Sequence, residues 1–268
     1  MPIIILNKDK VSTQVSDKDI DQELKKAINN LKGDFFDIET GKVNYSLMNG
    51  SSTFEEYKSI TARLKEFDLE SLKTVEKKLS FWINIYNALV IDGIAQLGVE
   101  NSVTEIHKFF ESVSYNIGAY TFSLDQIEHG ILRGNTKKHF FSSRPFSSSD
   151  PRLKFVLSSL DPRIHFCLVC GSTSCPPIGT YQEEKIDHQM NLAATTFING
   201  TDVIIDQEKN TLKLSKIFKW YKKDFGSDDD LVLFLAKYRN NINDKNYLSE
   251  NLGKLRFLYL DYDWNLNK

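Results

Sequence analysis

The run from Asp161 to Pro177, D-P-R-I-H-F-C-L-V-C-G-S-T-S-C-P-P, contains all three cysteines of a 268-residue chain and sets Asp161, Arg163 and His165 within a few residues of them. Thiols gathered in one short stretch are not spaced as core fillers are. A rigid element running into a Gly/Ser/Pro loop is where side chains are delivered into open space. Read as a buried strand of period two, Ile164, Phe166, Leu168 and Cys170 share one face, and His165, Cys167 and Val169 the other. On that reading Cys170 and His165 point apart. A nucleophilic Cys170 then needs its base from elsewhere, because a thiol ionises near neutral pH only beside an imidazole or in a positive field. Gly171, Ser172, Thr173 and Ser174 follow at once and offer backbone N–H groups to an oxyanion. The plain alternative is an inert thiol, since free cysteine is among the most buried residue types. His165, Cys167, Cys170 and Cys175 have the composition of a zinc site but not its spacing, which draws on two separated pairs, so no metal is expected. A Cys170–Cys175 disulfide can span the loop, yet it leaves one thiol over, and three cysteines do not suggest a secreted disulfide framework.

The helix that can supply a base begins at Ser123-Leu124-Asp125-Gln126, which has the capping-box pattern. At about 100° per residue, Leu124, Ile127, Ile131 and Leu132 cover one arc, and Glu128 falls inside it, with His129 at its edge and Arg133 one turn on. A carboxylate on an apolar face must pair, stay protonated or shift its pKa upward. Glu128 and His129 thus offer an acid and an imidazole at the core boundary, or else a buried Glu128–Arg163 ion pair with His129 packed beside it. Upstream, F-W-I-N-I-Y-N-A-L-V-I from Phe81 to Ile91 is apolar nearly all round, the mark of a central helix, here expected from about Leu69 to Leu97. Asn84 and Asn87 lie three residues apart on it. Two buried amides must find partners, in neighbouring backbone or in a catalytic group or substrate.

The remaining chain reads as scaffold. A polar arm is expected over 1–51, with a charged helical stretch near Asp17 to Leu31, ahead of a single domain over 52–268. Phe54, Tyr57, Ile60 and Leu64 mark a helix, and Val113 to Phe122 a hairpin. F-S-S-R-P-F-S-S-S-D, from Phe141 to Asp150, is expected as a lid or a disordered insertion. A helix at Ile186 to Phe197, a hairpin around Glu208 to Asn210, helices near Lys216 to Asp224 and Leu231 to Arg239, and an aromatic strand at Leu255 to Tyr262 complete it. Asp228-Asp229-Asp230 reads as a helix N-terminus rather than a metal site. With 41% hydrophobic and 12% aromatic residues the chain can bury a large core, and a net charge of −2 gives no case for nucleic acid or an acidic membrane. There is no signal-peptide pattern, membrane-span pattern, P-loop or dinucleotide fingerprint, so a cytoplasmic protein with no cofactor is expected.

Four stretches occur in a telling order: F-W-I-N-I-Y-N-A-L at 81–89, I-E-H-G-I-L-R at 127–133, the cysteine run at 161–177, and L-S-K-I-F-K-W-Y-K-K-D-F-G at 214–226. Together they resemble the family catalogued as domain of unknown function 547, over roughly Ser52 to Tyr238. The resemblance implies a cysteine-hydrolase-like reading, with the family's Cys-Gly at Cys170-Gly171 and its Glu-His at Glu128-His129. Cys175 matches a Ser-Cys-Pro form of the motif and is the less favoured nucleophile. Cys167 departs from the small apolar residue expected there and reads as a core substitution. The fold expected is α+β, a helix-rich N-terminal half on a small mixed sheet, papain- or transglutaminase-like. In the resulting scheme Cys170 attacks an amide carbonyl, His129 moves the proton and Glu128 fixes the imidazole tautomer. His165 is the reserve base, and Arg133 and Arg163 hold the carboxylate of a small-molecule or peptide substrate, such as a γ-glutamyl compound. The competing expectation is a binding or scaffolding domain, in which Glu128, Arg133, Asp161, Arg163 and His165 form one buried polar network.

Overall fold

Side-chain caps and apolar periodicity set most of the elements, which a computed structural model describes over residues 2–9, 20–37, 39–138 and 141–268. The chain divides into two compact units. The first comprises Met1–Leu160, Val169–Ile186 and Trp264–Lys268, the second Asp161–Leu168 and Asp187–Asp263.

In the first unit β1 (Ile4–Ile5) precedes α1 (Ile20–Phe35), which buries Ile20, Leu24, Ala27, Ile28 and Leu31 at helical spacing. The stretch expected from Asp17 thus falls partly outside the described residues, and within the expected arm α1 contributes these residues to the unit's core. Next come α2 (Tyr45–Met48) and α3 (Ser52–Arg63), the latter capped by Ser51 and packed on α1. Thr74 then caps α4 (Val75–Gln96), where every residue from Leu79 to Ala95 is buried. The expected start at Leu69 is a separate 3-10 turn, because the Thr74 hydroxyl caps the helix five residues later. α5 (Phe109–Ser112) leads into the hairpin β2 (Val113–Ile117) and β3 (Tyr120–Ser123), with β1 parallel to β2 on its outer edge. Gly118 turns the hairpin at φ +55°, where an added Cβ would sit 2.9 Å from the Phe67 carbonyl oxygen.

The serine-rich segment is held rather than loose. Asn135 clamps Phe146, its Oδ1 accepting from the Phe146 N–H at 3.0 Å and its Nδ2 donating to the Phe146 carbonyl at 3.0 Å. Phe146 is buried and the Arg152 guanidinium lies over its ring. An apolar anchor within a polar run overrides the lid or disordered-insertion reading.

The second unit opens with a 3-10 helix at Pro162–Phe166 and continues with α6 (Ile186–Asn199), β4 (Val203–Asp206), β5 (Thr211–Leu214) and α7 (Lys216–Trp220). A 3-10 turn at Lys222–Phe225, α8 (Asp228–Tyr238), α9 (Ile242–Glu250) and β6 (Arg256–Tyr259) follow. Ser227 and Asp230 form a capping box at the start of α8, so the aspartate run opens a helix. β5 pairs antiparallel with β4 and parallel with β6. Phe166, Ile198, Leu212, Phe218, Leu231 and Leu235 form this unit's own core. The fold is therefore α+β with two small mixed sheets, one in each unit, where one was expected.

Candidate functional site

The segment before the cysteine loop is not a strand. Asp161 accepts from the Arg163 N–H at 3.0 Å and Pro162 takes the first helical position, so D-P-R opens a 3-10 helix through Phe166. Cap and proline override the two-residue alternation, and His165 and Cys167 do not share a strand face. Cys167 is fully buried, its thiol donating to the Arg163 carbonyl at 3.3 Å, as befits a core residue of the second unit.

Within the first unit, α4 positions the loop from both sides. Asn87 Oδ1 accepts from the Val169 N–H at 3.0 Å, just ahead of Cys170. Asn84 clamps Tyr181 at the loop's far end, accepting from its N–H at 2.9 Å and donating to its carbonyl at 2.8 Å. Asn84 is thus spent on backbone through both amide atoms, and Asn87 through its carbonyl. The C-terminal segment closes the remaining side, Thr173 N–H donating to Asn265 O at 2.8 Å and Asn267 N–H to Gly171 O at 3.1 Å. Gly171 adopts φ +76°, and a Cβ there would stand 2.3 Å from Ile94 Cδ1, so only glycine lets the loop lie this close to α4.

The two loop thiols are joined. The backbone N–H groups of Cys170 and Gly171 donate to Cys175 Sγ, the former at 2.8 Å, and the two thiols hydrogen-bond each other. Cys170 Sγ also lies 3.0 Å from Ser172 Oγ. Burial pushes the Cys175 thiol well above its ordinary pKa, and the bond to Cys170 adds to the rise. Tyr45 donates to Asn267 Oδ1 at 3.0 Å; burial first, then the neighbouring Cys175 and Cys170, raises its pKa. A cavity of about 700 Å³ borders this loop, lined among others by Tyr45, Ser172, Cys175, Asn267 and Lys32.

Glu128 and His129 lie on a π-helix, Gln126–Leu132, entered through the expected Ser123–Gln126 capping box. The Arg133 N–H reaches back to Glu128 O at 2.8 Å, five residues away. The wider turn buries both neighbours together, a pairing a regular helix forbids. Glu128 Oε1 lies 3.6 Å from His129 Nδ1 and Oε2 accepts from the Tyr86 hydroxyl at 3.2 Å. Arg133 stands 2.6 Å from His129 Nδ1. A guanidinium can only donate, so Nδ1 accepts and the proton of the neutral ring sits on Nε2, 3.6 Å from Asp125 Oδ1. Arg133, not Glu128, fixes this tautomer. Burial lowers the His129 pKa, against the opposing pull of Glu128 and Asp125.

In the second unit Arg163 is held by Asp161 Oδ2 at 2.5 Å, Asp187 Oδ1 at 2.7 Å and Asn191 Oδ1 at 2.8 Å, and the bonds to Asp161 first and then Asp187 raise its pKa further. Neither Arg133 nor Arg163 presents the open fork expected for a substrate carboxylate, because each is committed to internal partners. Of the polar residues expected as one network, Glu128 and Arg133 belong to the first unit and Asp161, Arg163 and His165 to the second. His165 has a partner the sequence reading passed over. Its Nε2 lies 2.8 Å from Asp224 Oδ2, both side chains are nearly inaccessible at 1% and 4%, and the ring stacks on Tyr221 at 3.9 Å. The signal was an aspartate set among basic and aromatic residues in W-Y-K-K-D-F-G.

Among the described residues no group of three or more His, Cys, Asp or Glu is arranged to hold a metal, and no helix is long and apolar enough to cross a membrane. The fold and this loop define an α+β protein with a buried helix bracketing a dithiol turn. Residues 69–198 match the family described as "Protein of unknown function, DUF547", and this segment is a domain of that family. No curated protein and no solved structure matches the chain.

Proposed function

We propose that the loop is the centre of a thiol-dependent hydrolase of amide or peptide-like bonds in small substrates, with Cys170 as nucleophile. The observation that carries this is the hydrogen-bonded pair of loop thiols. Two backbone N–H groups hold Cys175 Sγ, and the Cys175 thiol, whose ionisation burial pushes up, is bonded to Cys170. Ser172 Oγ lies 3.0 Å from Cys170 Sγ and is a second hydrogen-bonding partner for it. In this reading Cys175 and Ser172 donate to Cys170 when its thiol ionises. The Cys170 thiolate adds to the carbonyl carbon, the amine leaves with a proton, and water cleaves the thioester, returning the thiol and an acid. Three free thiols suit a reducing, cytoplasmic setting. The mix of helices and small sheets fits a papain- or transglutaminase-like reading. A non-catalytic scaffolding domain is the second reading, favoured by the Arg133 contact that occupies His129 Nδ1.

The test is hydrolysis of a panel of γ-glutamyl and dipeptidyl aminocoumarin amides by wild type, C170A, C167A, H129A and H165A. C170A abolishes turnover with little loss of stability, whereas C167A keeps turnover and costs on the order of 1 kcal/mol as a trimmed core residue. The histidine variants show which imidazole moves the proton through loss of the neutral-pH limb of the rate profile. Turnover that survives C170A ends the proposal.

A further inference from the structure

With both expected arginines committed elsewhere, the cavity beside the cysteine loop still presents cations of its own, Lys42 and Lys268 at its lining and Lys32, the one bonded to the loop. Lys32 lies in the last turn of α1 and lines that cavity together with Ser172, Thr173 and Cys175. Its Nζ donates to the Ile178 carbonyl at 3.0 Å. An ammonium carries three N–H donors, and among the described residues no carboxylate lies within ion-pair distance of it. The Asp37 carboxyl on the same wall is engaged by the Glu39 and Thr40 N–H groups at 2.9 and 3.2 Å. Lys32 is partly buried, and burial alone lowers its pKa, which is the mark of a desolvated cation lacking a counter-charge. A protein gains nothing in stability from such an arrangement, but a cavity built this way favours an anion.

We propose that Lys32 binds the free carboxylate of the substrate, so that the site takes amides bearing a carboxylate a few bonds from the scissile carbonyl. Chain length bounds the spacing, measured from Cys175, the loop cysteine that lines the cavity. Ile178 follows Cys175 by three residues across Pro176 and Pro177, so its carbonyl stands within about 11 Å of that thiol's backbone. A dipeptide or γ-glutamyl compound spans that distance, and a cavity of about 700 Å³ admits it. A carboxylate also restores the charge that Lys32 lacks, through a charge-assisted hydrogen bond that a neutral amide cannot match. What happens to the bound substrate rests on the hydrolase reading; the binding does not.

The experiment compares N-acetyl-alanyl-alanine with its C-terminal amide, which differ only in the carboxylate, by NMR titration of the full chain as C170A, so that no turnover intervenes. The acid binds about tenfold or more tightly than the amide at neutral pH. Lys32→Gln, which keeps a donor for Ile178, brings the acid down to the amide's affinity and leaves the amide unchanged, while Lys32→Arg retains the preference. Equal binding of acid and amide by the unsubstituted Lys32 protein, or a preference that survives Lys32→Gln with thermal unfolding unchanged, overturns the assignment. If the preference holds while wild type cleaves no amide, the carboxylate site stands and the hydrolase reading falls.

Discussion

Cys170 and Cys175 differ in ways that composition cannot show. Both are free, half-buried thiols in one loop, but Cys175 accepts from two backbone N–H groups, whereas Cys170 Sγ is bonded to the side chains of Cys175 and Ser172. On the proposed reading iodoacetamide at about pH 7 modifies Cys170 first, with Cys175 lagging because its ionisation is pushed up. Cys175→Ala removes a donor from the Cys170 thiolate and slows its alkylation several-fold at that pH, while Cys175→Ser, which can still donate, falls between. Peptide mass spectrometry against time reads the order. Equal rates at both cysteines in the native protein would show that the donor chain does not bias ionisation. The same hydrogen-bond logic explains what the sequence hid at this scale. Which cation is committed and which is left over depends on partners distant in the chain, so Arg163 and Lys32 look alike until Asp187 and Asn191 are seen on one and a lone carbonyl on the other.

Elements were read well where a local signal acts alone and poorly where two compete. The Ser123 cap starts the helix it announces, the spacing of Phe54, Tyr57 and Ile60 marks α3, the aspartate run opens α8, and the apolar girdle of α4 is buried throughout. At 161–170 an alternating pattern met a D-P-R start, and the cap with its proline prevailed; D-P-R at 150–152 opens a second 3-10 helix in the same way, with Asp150 accepting from the Arg152 N–H at 2.9 Å. The π-helix was not legible, since it arises when a long-range contact selects the wider turn. Gly130 marks that contact: a Cβ there would stand 2.6 Å from the Phe146 ring. Gly130→Ala should destabilise the protein by about 1–3 kcal/mol through overpacking, more than the small gain in helix propensity returns. Phe146→Ala in the same chain should recover part of that loss, giving a coupling well above 0.5 kcal/mol in a urea double-mutant cycle. Strict additivity of the two changes would mean that the ring does not hold the π-turn.

For the whole molecule, one buried cluster outside the cysteine loop gives stability a pH dependence of its own. Asp92 is fully buried in the first unit, with Tyr115 donating to Oδ2 at 2.5 Å, Gln96 to Oδ1 at 2.6 Å, and Tyr57 bonded to Tyr115 at 2.9 Å. Burial raises its pKa to about 6, against the pull of both donors. The unfolded chain releases this proton near the ordinary aspartate value of about 4. Between those values the folded state holds a proton that the unfolded state has lost, so Asp92's contribution is complete below about pH 4 and disappears as pH rises through about 6. The window is worth on the order of 3 kcal/mol. Exposed carboxyls such as Glu105 and Asp230, held low mainly by hydrogen bonds, oppose this by losing stability as pH falls. Wild-type stability alone therefore mixes the two. The difference between wild type and Asp92→Asn isolates the buried group, because the exposed carboxyls are common to both. Urea unfolding at pH 4, 5, 6 and 7 should show that difference shift against the wild type as pH rises, with most of the change between pH 4 and 6. A constant difference across the range would mean that Asp92 keeps an ordinary pKa inside the fold, and that its two donors outweigh its burial.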